Sequence, residues 1–394
     1  MRKEWETKSL IQLEEEGLIL LGRGMVINKN DLAKTPGEYP VYSSAQLNDG
    51  VFGRYGKYMF NEELITWSVD GGGTLFYREK HKFSITNVGG FCRILRPDLI
   101  SYKYLFFILS YLHSTIKFDW VKKAHPSTLR KEYKIIPLPN LEEQHKFVST
   151  IDAAFASINK AKVNTEKILQ NSKELFESYL QRMFENKLHG SKFETLESLC
   201  ELVVDCEHKT APTQETGYPS IRTPNIGKGV LILEGVNRVS EKVYQEWTRR
   251  AIPQADDLIL AREAPAGNIA VIPENVKVCL GQRTVLIRPK KNRIVSKFLA
   301  YLVLSKDVQE KLLSHSKGAT VHHINMKDIR AFKIYNLSPL VEQQTIVQKL
   351  DALSSDTKKL ELNYHQKIND LEELKKSVLQ KAFSGELKTA TAVV

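Results

Sequence analysis

The stretches Leu141-Glu142-Glu143-Gln144 and Leu340-Val341-Glu342-Gln343 decide how this chain is organised. They lie 199 residues apart, and that offset persists without a gap from Leu141 to Leu188. Asp152-Ala153 falls on Asp351-Ala352, Asn164 on Asn363, Glu174-Leu175 on Glu373-Leu374, Leu180-Gln181 on Leu379-Gln380 and Phe184 on Phe383. Upstream, Trp5-Glu6-Thr7 is echoed by Phe193-Glu194-Thr195 at an offset of 188, so the second copy carries a net eleven extra residues, as loop insertions would give. The chain therefore reads as two copies of one unit, each a globular part followed by a long polar segment.

Both polar segments predict helices. Each lacks Pro and Gly as far as Asn186 or Ser384 and is rich in Leu, Lys, Glu, Gln and Ala. Ile151, Ala154, Ile158, Ala161, Thr165, Ile168, Ser172, Leu175 and Tyr179 recur at steps of three and four; the same register gives Leu350, Leu353, Thr357, Leu360, Tyr364, Lys367, Leu371, Leu374 and Val378. That is a heptad seam, and its identical register in both copies predicts a mutual coiled coil of two rods about 65–70 Å long. Two separate amphipathic helices, each covering its own domain, are the plainer alternative.

The globular parts differ in pattern. Short β-branched and aromatic runs such as Glu63–Trp67, Phe83–Thr86, Leu258–Leu260 and Val285–Ile287 alternate with turn residues, and each part ends in a helix-like run, Tyr102–Ile116 or Ser296–Leu313. The expected fold class is α+β: two mixed α/β globular domains joined by two long antiparallel coiled-coil helices, with a pseudo-twofold internal repeat. The expected boundaries are 1–140, 141–192, 193–339 and 340–394.

The 394 residues are more than one core usually holds, and a 42% hydrophobic, 26% charged composition excludes a largely disordered chain. Fifty-seven basic against 46 acidic residues leave a charge of +11. Residues 1–140 carry 20 basic and 15 acidic groups and residues 193–339 carry 21 and 16, so each globular part holds +5, while the helical segments hold +1 and 0. Two equally basic modules separated by a near-neutral rod suit two contacts on one long polyanion, with double-stranded DNA the foremost candidate. A membrane-binding coiled coil would show the opposite distribution. The longest apolar stretch is about half a membrane span and the N-terminus lacks a signal-peptide run, so no membrane partner and a cytoplasmic location are expected. Cys92, Cys200, Cys206 and Cys279 show no CxxC spacing, which suits a reducing compartment.

Candidate DNA contacts come from polar clusters beside strands. In the first part, Ile65-Thr66-Trp67-Ser68-Val69-Asp70-Gly71-Gly72-Gly73 sets polar groups and glycines directly after a strand, where the backbone can approach a phosphate or base edge closely. Trp67, Asp70, Gly71 and Gly72 are the candidates there. At the same place in the second part, Arg262 could fork onto a guanine and Glu263 accept from a cytosine amine; a glycine-rich hairpin and an internal ion pair are the alternatives. Tyr42, Ser43, Ser44 and Gln46 follow one YP turn, and Arg222, Thr223 and Asn225 follow the other. Thr86-Asn87 and Gln282-Arg283 form the next corresponding pair. Cys206-Glu207-His208-Lys209-Thr210 and His322-His323 lack zinc spacing, so Lys209, Thr210, His322 and His323 read as phosphate or base contacts near Lys317-Gly318-Ala319-Thr320. No GxxxxGK[ST], HExxH or GxSxG motif occurs, and no catalytic or metal-binding residue is expected.

At this point the residues resemble a known family. Ile136-Pro137-Leu138-Pro139-Asn140-Leu141-Glu142-Glu143-Gln144, its variant Tyr335-Asn336-Leu337-Ser338-Pro339-Leu340-Val341-Glu342-Gln343, which loses the first proline, and the ending Leu379-Gln380-Lys381-Ala382-Phe383-Ser384-Gly385-Glu386-Leu387 are similar to the specificity subunit of type I restriction-modification systems. The resemblance implies that each globular part is a target-recognition domain reading one half of a bipartite DNA sequence, while the helices set the spacer. It implies two methyltransferase subunits as partners, bringing S-adenosylmethionine, and restriction subunits bringing ATP with Mg2+. No cofactor is then expected on this chain itself, which would catalyse nothing. A stand-alone nuclease and a coiled-coil protein scaffold are the rival readings.

Overall fold

The computed structural model describes residues 5–44, 48–116, 123–187, 189–314 and 323–384. They divide into two compact units: residues up to Glu166 together with those from Gln366 onward, and Lys167–His365. Both long helices form as the composition predicts, over Leu141–Phe184 and Leu340–Ser384, and each passes from one unit into the other.

In the first unit a six-stranded sheet has the order Ile19–Arg23, Gly89–Ile94, Phe60–Ser68, Leu75–Ile85, Tyr39–Tyr42, Val51–Tyr55. All neighbours are antiparallel except Tyr39–Tyr42 beside Leu75–Ile85. In the second, Cys200–Asp205, Thr284–Pro289, Leu258–Ala261, Ile269–Val271 and Gly229–Val230 form the main sheet, with Arg238–Val239, Tyr218–Ile221 and Cys279–Leu280 in a smaller one. Leu258–Ala261 is buried along its whole length, which explains why it reads as a continuous apolar run rather than an alternation. Short antiparallel pairs, Glu6–Lys8 with Ile136–Leu138 and Phe193–Thr195 with Lys333–Tyr335, bring the two ends of each globular part together just ahead of its long helix.

A glutamine then locks each helix to its unit. Gln144 is fully buried; its Nε2 donates to Pro139 O at 2.8 Å and Leu99 O at 2.9 Å, and its Oε1 accepts from Ser101 N at 2.8 Å. Gln343 repeats this with Ser338 O at 2.8 Å, Arg293 O at 3.0 Å and Val295 N at 2.8 Å. The far end of each helix enters the other unit's core. Phe383 packs against Phe147 and Tyr104, with ring centroids 5.8 and 6.0 Å away, while Phe184 packs against Phe298 at 5.1 Å. In the first unit the helices run antiparallel: Phe147 meets Phe383 near one end and Lys162 pairs with Glu372 at 2.6 Å further along. In the second, Leu180 and Phe184 share a core with Ile346, Val347 and Leu350.

The buried stripe departs from the expected heptads. Ile151, Ile158 and Leu350 are buried, and Tyr179, Leu353, Tyr364, Leu371 and Val378 are half-buried. Ile168, Leu175, Leu360 and Leu374, however, are exposed. Phe147, Ile158, Leu169 and Leu180 are buried instead, at steps of eleven; at offset 199 their counterparts Ile346 and Thr357 are buried and Ile368 and Leu379 half-buried. Eleven residues in three turns is 3.67 per turn, against 3.5 for a heptad. A helix near 3.6 drifts about 20° per heptad, so a heptad count that starts correctly at Ile151 has rotated into solvent by Ile168.

The lock has a measurable consequence. Gln343→Leu strands one buried N–H and two carbonyls without partners, and stability should fall by about 3 kcal/mol. The neighbouring exposed Gln344→Leu should stay within about 0.5 kcal/mol. Chemical denaturation midpoints of the two variants check this.

Candidate nucleic-acid interface

In the first unit, segments far apart in sequence converge on one edge. Thr86 N donates to Tyr42 O at 2.8 Å and Thr86 Oγ1 to Ser43 Oγ at 2.9 Å, while Ser68 Oγ donates to Ser44 O at 2.8 Å. Val69 N donates to Val88 O at 2.9 Å, carrying the glycine loop alongside the Thr86–Asn87 turn. A Cβ on Gly71 would lie 2.2 Å from Ser68 Oγ, so the close approach that demands glycine is to the protein's own chain. Gly72 is buried at φ +70°. Asp70 is exposed and meets Lys123 at 3.3 Å; Asn87 is exposed, and its carbonyl accepts from Arg23 Nε at 3.0 Å. Trp67 is a core residue: its indole N–H donates to Ala124 O at 2.8 Å, and a Cβ on Gly90 would strike its ring. Thr86 and Tyr42 are buried as well. Gln46 lies outside the described residues.

The second unit builds the equivalent edge from charge. Arg262, 8% exposed, donates from Nη1 to Asp205 Oδ2 at 2.6 Å and from Nε to Ile324 O at 2.9 Å, and its Nη2 lies 3.0 Å from His323 Nε2. The expectation that Arg262 forks onto a guanine meets a guanidinium already saturated inside the protein. Sequence could not reveal this, because Asp205 and His323 stand 57 and 61 residues away. Arg262 does the work of Trp67: each donates a side-chain N–H to the carbonyl just ahead of a short helix, Ala124 before Pro126–Glu132 and Ile324 before Met326–Ala331.

From Arg262 the network continues outward. His323 Nδ1 is 3.1 Å from Glu263 Oε1, and Glu263 Oε2 is 2.8 Å from Arg283 Nε. Gln282 Nε2 donates to His208 O at 3.1 Å. Thr210, Arg222 and Gln282 line one shallow pocket; Lys209, Thr210 and Arg222 are exposed. Thr223 is buried, and Asn225 Oδ1 accepts from Arg222 N at 3.1 Å, so both shape the turn that presents Arg222. His322 and Lys317–Thr320 fall outside the described residues.

Arg23, Lys123 and Asp205 belong to these edges although sequence reasoning passed them over. The repeat held the signal: Gly24 N donates to Gly89 O as Cys206 N does to Thr284 O, which makes Arg23 the counterpart of Asp205 in the repeat. Burial pushes the Cys206 thiol above its usual range and that of Cys92 up to about 12, the reverse of an activated nucleophile. Among the described residues, no cluster of three His, Cys, Asp or Glu side chains could hold a metal ion, and no helix is long and apolar enough to cross a membrane.

The family described as Type I restriction modification DNA specificity domain matches residues 2–167 and again 190–373. A Mycoplasma pneumoniae protein named as a type I specificity subunit is 31% identical over 182 residues, 45% of this chain and 58% of the relative. The Escherichia coli EcoBI restriction enzyme specificity subunit is 22% identical over 292 residues, 68% of this chain and 61% of the relative. The chain thus spans about three-fifths of the length of these relatives. Among solved structures, a chain from a type I R-M system superposes with TM-score 0.67 at 16% identity, covering 94% of this chain and 98% of that one. The HsdS subunit of Thermoanaerobacter tengcongensis gives 0.53 at 17% identity, covering 98% of each. At such identities the likeness concerns the fold.

Arg262→Met should cost about 3 kcal/mol, because a mostly buried Asp205 loses its arginine and Ile324 O its donor. Arg283→Ala, on the exposed end of the same network, should cost less than about 1 kcal/mol. Thermal and denaturant unfolding of the two variants separate the roles.

Proposed function

Because this chain belongs to the type I restriction-modification DNA specificity family, we propose that it is the sequence-reading subunit of such a complex, each globular part reading one half of a bipartite duplex target. The observation that carries this reading is the matched pair of edges. Each is assembled from the same turns of the repeat, and each is rimmed by exposed polar or basic groups: Asp70, Asn87 and Lys123 on one, Lys209, Arg222 and Arg283 on the other. The charge of +5 on each globular part supports the same assignment.

In this reading Ser43, Ser44, Asp70, Asn87, Lys209, Thr210, Arg222, Glu263, Gln282, Arg283 and His323 approach bases or phosphates. Tyr42, Trp67, Gly71, Gly72, Thr86, Thr223, Asn225 and Arg262 hold the edges in shape from beneath. The long helices dock two methyltransferase subunits, which supply S-adenosylmethionine, and restriction subunits supply ATP-driven chemistry with Mg2+. Modification and cleavage belong to those partners.

Methylome sequencing of a host carrying this chain with its neighbouring methyltransferase tests the proposal. The expected outcome is adenine methylation at a two-part motif with a fixed unspecified spacer. Methylation without a bipartite motif would overturn the reading, and metal-dependent DNA cleavage by the purified chain alone would favour a nuclease. Binding of the chain to duplex DNA should also fall steeply and log-linearly with salt; salt-insensitive retention would point to a protein scaffold.

A further inference from the structure

Arg283, on the second edge, is both anchored and open. It sits in the turn between Cys279–Leu280 and Thr284–Pro289 with φ +67°, a conformation that costs a non-glycine residue about 1–2 kcal/mol. Its backbone is held on both sides: the N–H donates to the buried Cys206 Sγ at 3.2 Å, and the carbonyl accepts from Arg262 N at 2.8 Å. A side chain is thereby aimed by a strained main chain that the core will not let relax.

The side chain itself is 62% exposed and forms an ion pair with Glu263, with Nε 2.8 Å from Oε2. Glu263 is steadied in turn by His323, and His323 by the buried Arg262–Asp205 pair. The two terminal nitrogens make no hydrogen bond among the described residues. A guanidinium held beside a carboxylate by this ion pair presents Nη1 and Nη2 as a two-pronged donor, which matches the O6 and N7 acceptors of guanine in the major groove. Resting on the DNA-reading function proposed above, we propose that Arg283 reads one guanine of the half-site bound by the second globular part, with Glu263 as its positioning residue. The first unit carries Val88 next to Asn87 where the second has Arg283 next to Gln282, so this contact belongs to one half-site only.

The test uses the full chain with its co-expressed methyltransferase and a randomised duplex library. The unsubstituted complex must first select a bipartite motif; if it selects none, the DNA-reading function fails independently of Arg283. Given a motif, Arg283→Ala should relax one G·C position of one half-site by about 10- to 100-fold and leave the other half-site unchanged. Replacing that guanine by 7-deazaguanine, which lacks the N7 acceptor, should weaken the unsubstituted complex and leave Arg283→Ala unaffected. Glu263→Gln should relax the same position to a smaller degree. An unaltered motif would overturn the proposal. So would uniformly weaker binding with a shallower salt dependence, which would make Arg283 a phosphate contact.

Discussion

One primary amide, Gln144 in the first copy and Gln343 in the second, ties each long helix to the globular part that precedes it. Its three hydrogen bonds join the proline-containing lead-in, the first turn of the long helix and the loop ahead of the unit's own shorter helix. No other uncharged side chain of this length offers two donors and an acceptor in a plane. Glutamate in its place would set a carboxylate against two carbonyl oxygens. The motif is therefore legible as geometry: leucine for the helix start, glutamate in the first turn where the macrodipole favours it, glutamine for the lock.

Fixing the helix start has consequences forty residues on. The helix begun at Gln144 ends with Phe184 in the second unit's core, and the helix begun at Gln343 returns Phe383 to the first. Each core is completed by an aromatic group supplied by the other copy's helix, and burying such a ring contributes about 2–3 kcal/mol. The eleven-residue stripe belongs to the same constraint. With aromatic anchors set at both ends, the helices keep nearly their natural 3.6-residue turn, and the buried positions follow.

Much of this was readable from the residues. The repeat, both helices and the strand runs follow local patterns or the offset of 199, whereas the convergence of the 42–44, 68–72 and 86–87 segments rests on long-range hydrogen bonds. The seam failed where two periods differ by only 0.17 residues per turn, too little to separate 3.5 from 3.67 over the first heptads. Trp67 and Arg262 were misread for a different reason. Each lies in a polar, glycine-rich stretch that looks exposed, yet its partner is the carbonyl of residue 124 or 324, about sixty residues further along. No local pattern announces a hydrogen bond of that range.

The pairing of Trp67 with Arg262 also separates what the fold requires from what it leaves free. The requirement in each unit is one side-chain N–H reaching the carbonyl ahead of the short helix, and in the first unit the Trp67 indole meets it alone. A guanidinium meets it with two nitrogens to spare, which then need Asp205 and His323, and His323 in turn engages Glu263. Choosing arginine at this buried point therefore extends a polar network outward until it reaches Arg283 at the surface, whereas choosing tryptophan ends the matter in the core. The two edges share one backbone frame and differ in surface chemistry because the equivalent carbonyl is reached from Trp67 in one and, two places further along the strand, from Arg262, the counterpart of Val69, in the other.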